Sequence, residues 1–265
     1  MQGVKEFLKD MISLAVTTLP KDILDKIKES YENETSETAR KILKQVLDNT
    51  EIAEKEKKPI CQDTGIPLFY VEGEIPENFE EIAREAVKEA SEEIPLRPNI
   101  VDPIARENKG NTSLGFPHVQ YFPKDIDKTI ITFCPKGGGS ENMSKLAMLK
   151  PSQGIKGVKE FVLRAVFEAG ANPCPPLVVG VGIGGSADLA MDMAKKAILR
   201  PLDIERSELE KELYRDINDL GIGPAGLGGR TTALAVSIET MGCHTASLPV
   251  AVNIQCWAAR RAVGE

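Results

Sequence analysis

The chain changes its punctuation near residue 57, and that change limits the folds open to it. Upstream, apolar residues recur at helical spacing. Val4, Phe7, Leu8, Met11, Ile12 and Ala15 form one stripe, which stops near Leu19-Pro20 because proline disfavours helix in the residue before it. Pro20 suits the first turn of a second helix, whose apolar face is Ile23, Leu24, Ile27 and Tyr31. Thr35 or Ser36 can cap a third, with Ala39, Ile42, Leu43, Val46 and Leu47 as its stripe and Asp48-Asn49 beginning its end. Downstream, glycine and proline cut the chain into shorter pieces. A strand over 66–73 leads away from a turn at Thr64-Gly65, a helix covers 78–91, and a strand covers 128–133. A helix around 155–169 precedes a buried strand over 177–181, a glycine turn and a helix from Ala187 to about Leu199, and strands follow over 231–239 and 248–253. No internal repeat or low-complexity linker interrupts the pattern. The expected fold is α+β in a single domain over 1–265, with a helical N-terminal lobe over 1–57 and a mixed α/β region over 58–265.

Charge removes two classes of function. With 33 Lys+Arg against 40 Asp+Glu, the net charge is −7, and no basic run exceeds a pair such as Lys57-Lys58 or Arg260-Arg261. Such a chain forgoes the counterion release that nucleic-acid binding draws on, so no nucleic-acid partner is expected. Leu177–Ile183, the best apolar run, is short and broken by glycine, far from the roughly 20 residues of a membrane span. The first ten residues mix charged with apolar groups where a secretory leader would be uninterruptedly apolar, which places the chain in the cytoplasm.

Cysteine usage is more informative. Cys61, Cys134, Cys174, Cys243 and Cys256 are odd in number, widely spaced and without a Cys-x-x-Cys pair. In a reducing compartment this is no disulfide framework, which leaves metal ligation or burial as a small hydrophobe. Cys61 lies in Pro59-Ile60-Cys61-Gln62-Asp63-Thr64-Gly65 and Cys174 in Asn172-Pro173-Cys174-Pro175-Pro176, irregular settings suited to meeting a metal. Cys256 follows Pro249-Val-Ala-Val-Asn253-Ile-Gln. Spacing alone does not distinguish three ligands from five. Gly180-Val-Gly182-Ile-Gly184-Gly185-Ser186 lacks the spacing and the following acidic residue of a dinucleotide fingerprint, so tight strand-to-helix packing or contact with a substrate anion is the better reading. Lys136-Gly-Gly-Gly-Ser140 reads equally as a backbone anion nest or a flexible turn.

Taken in order, Cys61-Gln62-Asp63-Thr64-Gly65, Arg106-Glu-Asn-Lys-Gly110-Asn111-Thr112, Lys136-Gly-Gly-Gly-Ser140, Asn172-Pro173-Cys174-Pro175-Pro176 and His244-(x11)-Cys256 resemble the class I iron–sulfur hydro-lyases. These are the class I fumarate hydratases and their two-subunit relatives, L-tartrate dehydratase among them. The resemblance runs from about residue 50 onward and implies a 4Fe-4S cluster held by Cys61, Cys174 and Cys256. Three thiolates leave one iron with an open position, where a departing hydroxyl can be polarised, and a fourth cysteine would block it. Cys134 and Cys243 are therefore read as packing residues.

The same resemblance assigns the surrounding residues. His244 becomes a catalytic residue that hydrogen-bonds a substrate carboxylate or hydroxyl, against the plainer reading of a core histidine. Gln62 and Asp63 become a substrate-contacting pair in which Asp63 orients the group that removes the proton, while an Asx-turn accounts for Asp63-Thr64-Gly65 on local grounds. Arg106 offers a planar fork to a carboxylate where a solvated surface arginine is the bland alternative. Asn111, Thr112, Gly138 and Gly139 supply neutral donors to the same dicarboxylate. The implied function is the α subunit of a two-subunit hydro-lyase that converts (S)-malate to fumarate reversibly. The alternatives are the α subunit of L-tartrate dehydratase and, from another class, a non-catalytic metal- or nucleotide-binding module. The resemblance also implies a β subunit carrying the remaining groups, which fused relatives hold in a second domain, and hence a hetero-oligomer acting on a small dicarboxylate.

Overall fold

A computed structural model describes residues 2–265. The helices are α1 (Gln2–Thr17), α2 (Lys21–Asn33), α3 (Glu37–Glu56), α4 (Phe79–Glu93), the single turn α5 (Gly138–Glu141), α6 (Gly154–Ala169), α7 (Ala187–Ala197) and α8 (Glu208–Asp219). The strands are β1 (Ile66–Glu72), β2 (Ile100–Val101), β3 (Asn108–Gly110), β4 (His118–Phe122), β5 (Ile130–Lys136), β6 (Lys145–Leu149), β7 (Leu177–Gly185), β8 (Ala233–Cys243), β9 (Leu248–Gln255) and β10 (Ala262–Gly264). The fold is α+β, helical first and mixed afterwards. The described residues cluster into two compact units, and the division does not run at residue 57. One unit takes the chain up to Pro20, Asp48–Gly138 and Arg260–Glu265, and the other takes Lys21–Leu47 and Gly139–Ala259.

The first unit is built on the sheet β10-β5-β1-β4, in which β1 pairs parallel with β4 and antiparallel with β5. Leu8, Met11, Ile12, Ala15 and Val16 from α1, with Ile82, Ala83, Ala86, Val87 and Ala90 from α4, bury their stripes on Phe69, Val71, Ile131 and Phe133. The ring of Phe69 meets Phe79 edge-on at 5.9 Å. At its solvent side, α1 is tied to α4 by Lys5 Nζ to Glu89 Oε1 at 2.6 Å.

The second unit carries the sheet β6-β9-β7-β8, antiparallel except for β7 against β8. One face is covered by α6 and α8, through Val158, Val162, Val166, Leu213 and Ile217 on Val179, Val181, Val250, Val252 and Ile254. The other face takes α7, where Ala190 and Ala194 meet Ala251. Small residues are obligatory here. A Cβ on Gly182 would stand 2.0 Å from the Ala190 carbonyl oxygen, and one on Gly180 would stand 2.1 Å from that of Ala194. The expected glycine turn after residue 181 is thus a continuation of β7 to Gly185, and its first two glycines serve the tight strand-to-helix packing that the spacing allowed.

Other boundaries moved for local reasons. Asp48-Asn49 do not end α3, which runs on through buried Ala53 until Lys57 turns left-handed at φ 52°. Helix α8 was not anticipated. It is opened by a capping box in which Ser207 Oγ accepts from the Glu210 amide while Glu210 Oε2 accepts from the Ser207 amide at 2.7 Å. The other Glu210 oxygen accepts from the Ile238 amide and from Arg200 Nη1, both at 2.8 Å.

Two consequences are measurable. In Gly182→Val, α7 must lift from the sheet, and thermal or denaturant unfolding should show a loss of about 2–3 kcal/mol. Burial works against ionisation of the Glu210 carboxyl, but the Ser207 and Ile238 amides and the Arg200 guanidinium outweigh it and hold the group below the usual glutamate range. A folded value below the unfolded one gives stability that is complete above the unfolded value, about 4.3, and lost as pH falls through the folded value. Denaturant titrations between pH 7 and pH 3 should show Glu210→Gln costing about 2 kcal/mol at neutral pH, moderated by the partial exposure of Arg200, with the gap to wild type closing on acidification.

Candidate active site

Within the first unit, the segment 59–65 is an irregular turn whose shape is set by side chains from distant positions. Its entry is fixed by the Ile60 amide, which donates to the Val16 carbonyl at 2.9 Å, and by Asn49 Nδ2, which donates to the Ile60 carbonyl at 3.0 Å. The Asp63 amide then points back at Cys61 Sγ, 3.4 Å away. Gly65 adopts φ +83° against the end of β5, where an added Cβ would lie 2.8 Å from the Pro135 carbonyl carbon. Thr64 Oγ1 donates to the Arg97 carbonyl at 2.7 Å.

The Asp63 carboxylate is the hub of this turn. Oδ1 accepts from the Gly65 amide at 2.9 Å and from Asn99 Nδ2 at 2.8 Å, and Oδ2 accepts from the Gly138 amide at 2.7 Å. The Asx-turn reading is therefore realised, and the Gly138 amide after β5 is taken by this side chain. With its two oxygens taken by three donors, the carboxyl is well disposed to hold its neighbours in place. Asn99 extends the network: its amide donates to Asn111 Oδ1 at 2.9 Å, and Asn111 Nδ2 donates to Ser91 Oγ at 3.2 Å. Asn111, 6% exposed, thus commits both ends of its amide inside the protein, and the Gly138 amide is likewise taken by Asp63. Of the expected neutral donors, half-buried Thr112 and exposed Gly139 are left uncommitted by these bonds.

Gln62 is exposed beside Cys61. Arg106 is exposed too, on the turn between β2 and β3, with a left-handed backbone at φ 60° closed by its amide donating to the Asp102 carbonyl. Asp102 Oδ1 accepts from the Ala105 and Ile104 amides, which hold its carboxyl below the usual range with a smaller contribution from the Arg106 charge. Arg260, which sequence reasoning did not single out, is buried under the 59–65 turn: its Nη2 donates to the Asp63 carbonyl at 2.8 Å. Asn99 and Arg260 are ordinary residues by pattern and carry no motif, so only the three-dimensional arrangement reveals them.

In the second unit, Cys174 is exposed at the apex of a tight turn, φ 55°, which its amide closes on the Ala171 carbonyl. The Cys174 carbonyl accepts from the Trp257 amide at 3.3 Å, which brings the turn alongside half-buried Cys256. His244 sits at the exposed tip joining β8 to β9. Its Nδ1 accepts from the Ala246 amide at 3.1 Å, so the ring proton belongs on Nε2. Cys134, 2% exposed on β5, is a packing residue as read. Cys243 is not: it is exposed, because the last four residues of β8 outrun the helices that cover the sheet, and its thiol donates to the Ser247 carbonyl. Among the described residues, no three His, Cys, Asp or Glu side chains are gathered as a single metal ion requires. No helix among them is long and apolar enough to cross a membrane.

The family described as Fumarate hydratase (Fumerase) matches residues 5–265. A protein of Methanocaldococcus jannaschii named "Putative L(+)-tartrate dehydratase subunit alpha" is 49% identical over 98% of this chain and 96% of its own length. The L(+)-tartrate dehydratase subunit alpha of Escherichia coli K12 is 36% identical over 97% of this chain and 88% of its own, and that of Shigella boydii serotype 4 matches to the same extent.

The hub is testable without any substrate. Asp63→Asn keeps an acceptor for Gly65 and Asn99 but sets an NH₂ group against the Gly138 amide, or the reverse if the amide flips. Equilibrium denaturation should show a loss of about 1–3 kcal/mol.

Proposed function

This chain belongs to the fumarate hydratase (Fumerase) family, and we propose that it is the cluster-binding α subunit of a two-subunit iron–sulfur hydro-lyase acting on a 2-hydroxy dicarboxylate. The observation that carries this reading is the extent of the family match, which takes in all three cysteine turns. The donor set suits the cluster: Cys61, Cys174 and Cys256 are half-buried or exposed thiols on irregular segments, soft ligands appropriate to iron–sulfur chemistry. Four irons and their sulfides spread the ligands wider than a single ion does, so the lack of a compact single-ion site does not weigh against them. Held by three thiolates, such a cluster supplies an iron with an open position as Lewis acid for a departing hydroxyl.

The chain's own residues then bind and orient. Arg106, on its exposed turn, offers a two-pronged cation to a substrate carboxylate. His244 presents the protonated Nε2 as a donor to a substrate oxygen. Gln62 and Thr112, with the Gly139 amide, add neutral donors, and Asp63 works from behind by fixing the turn that carries Cys61 and Gln62. The base that removes the C3 proton belongs to the β subunit in this reading, which accords with relatives named as alpha subunits.

For the substrate we favour L(+)-tartrate, the second choice from sequence, on the names of these relatives. Malate, the first choice, is kept as the second reading because the family's own description is fumarate hydratase. The two differ by one hydroxyl on C3, a group that a dedicated hydrogen-bonding site reads strongly.

Iron and sulfide quantitation after anaerobic reconstitution tests the ligand set. Cys61→Ser, Cys174→Ser and Cys256→Ser should each lose the cluster, while Cys134→Ser and Cys243→Ser keep it. A full cluster in any of the first three would remove that residue from the set. Assays of the reconstituted chain with and without its β subunit should show dehydration of L(+)-tartrate exceeding that of malate. The isolated chain should be slower by roughly the 10²–10⁴-fold that a missing base costs.

A further inference from the structure

The least ordinary residue of the first unit is a buried cation. Arg260 is 2% exposed, and the hydrogen bonds of its guanidinium go to main-chain carbonyls: Nη2 donates to Asp63 at 2.8 Å and lies 3.5 Å from the Pro135 carbonyl oxygen. Its Nε and Nη1 are buried without a hydrogen-bond partner among the described residues. A guanidinium is costly to bury, and leaving two of its donor groups unmet adds to that cost. Packing alone does not explain it, since an aliphatic side chain of similar volume fills the same space without either penalty.

What the guanidinium does hold is specific. The Asp63 carbonyl lies in the turn whose amide reaches Cys61 Sγ, and Pro135 opens the segment that delivers the Gly138 amide to the Asp63 carboxylate. One side chain therefore joins the two stretches of backbone that define the turn, and it places a positive charge beneath the turn that carries Cys61. A cluster with three thiolates carries net negative charge, and so does a dicarboxylate.

We propose that Arg260 is a positioning residue, which locks the Cys61–Asp63 turn to the end of β5 and supplies the buried positive charge that an anionic cluster on Cys61 requires. The electrostatic half rests on the cluster reading given above, and the geometric half does not.

The experiment compares the full chain with Arg260→Gln and Arg260→Lys, the second keeping the charge but not the planar fork. Amide hydrogen exchange at Gly65 and Gly138 in the metal-free chain reports the turn, and the rate of iron loss from reconstituted protein reports the charge. In Arg260→Gln both amides should exchange about tenfold faster, the least that losing a charged hydrogen bond produces, and iron should be lost several-fold faster. In Arg260→Lys iron retention should recover while the two amides stay fast. A lower melting temperature in Arg260→Gln with both amides and iron retention unchanged would make Arg260 a general strut and overturn the proposal. If Arg260→Gln fails to fold, the lysine variant decides: amides as slow as in wild type overturn the geometric half, and iron lost as fast as from a denatured chain overturns the electrostatic half. A wild-type chain that takes up neither iron nor sulfide would sink the cluster reading instead, with the exchange rates still deciding the geometry.

Discussion

The geometry of the 59–65 turn depends on one side chain, that of Asp63, having both oxygens engaged. Asp63 collects the Gly65 and Gly138 amides and the Asn99 side chain, so three stretches of chain that share no secondary structure meet on two oxygen atoms. Removing the acceptor would leave three donors without a partner in a half-buried turn, which is what makes the set costly to break. The turn that carries Cys61 is therefore not a flexible loop awaiting a ligand. Asn111 and Ser91 stand behind Asn99 in the same relay, and the result is a polar scaffold beside the apolar core of the first unit.

Much of this was legible in the linear chain, and the reasons for the gaps are physical. Helices α1, α2, α4, α6 and α7 follow from apolar periodicity because each has a single buried stripe. Helix α8 is hard to read from the sequence although Ser207-Glu208-Leu209-Glu210 spells a capping box; Leu213 and Ile217 make a stripe too narrow to stand out amid its charges. Strand β6 escaped notice because its outer face shows Leu146 and Met148 to solvent and its pattern does not alternate in polarity. The glycine-rich segment after residue 181 continues β7 where a turn is expected, while the tight strand-to-helix packing that its spacing allows is present at Gly180 and Gly182.

The site residues divide in the same way. Those with unusual local chemistry, such as Cys61, Cys174 and Asp63, announce themselves through proline and turn-forming neighbours. Those that act by burial do not: nothing adjacent to Asn99 or Arg260 marks them, and their importance arises from partners 36 and 197 positions away. Exposure also sorted the cysteines more finely than spacing could. Cys134 disappears into β5, while Cys243, expected beside it in the core, lies on the uncovered end of β8.

The path of the backbone between the two units has a consequence for how the molecule comes into being. The chain alternates: residues up to Pro20 belong to the first unit, Lys21–Leu47 to the second, Asp48–Gly138 to the first, Gly139–Ala259 to the second and Arg260–Glu265 to the first again. Strand β10, which pairs Ala262 with Phe133, and the guanidinium beneath Asp63 both come from the segment that follows the long Gly139–Ala259 stretch of the second unit. On a ribosome making about 5–20 residues per second, the first unit has most of its sheet early but must wait for more than a hundred further residues before its edge strand and buried cation can join it. During that interval β5 is a sheet edge and the Asp63 carbonyl lacks the Arg260 guanidinium, so the first unit gains its final contacts only after residues 139–259 have been made.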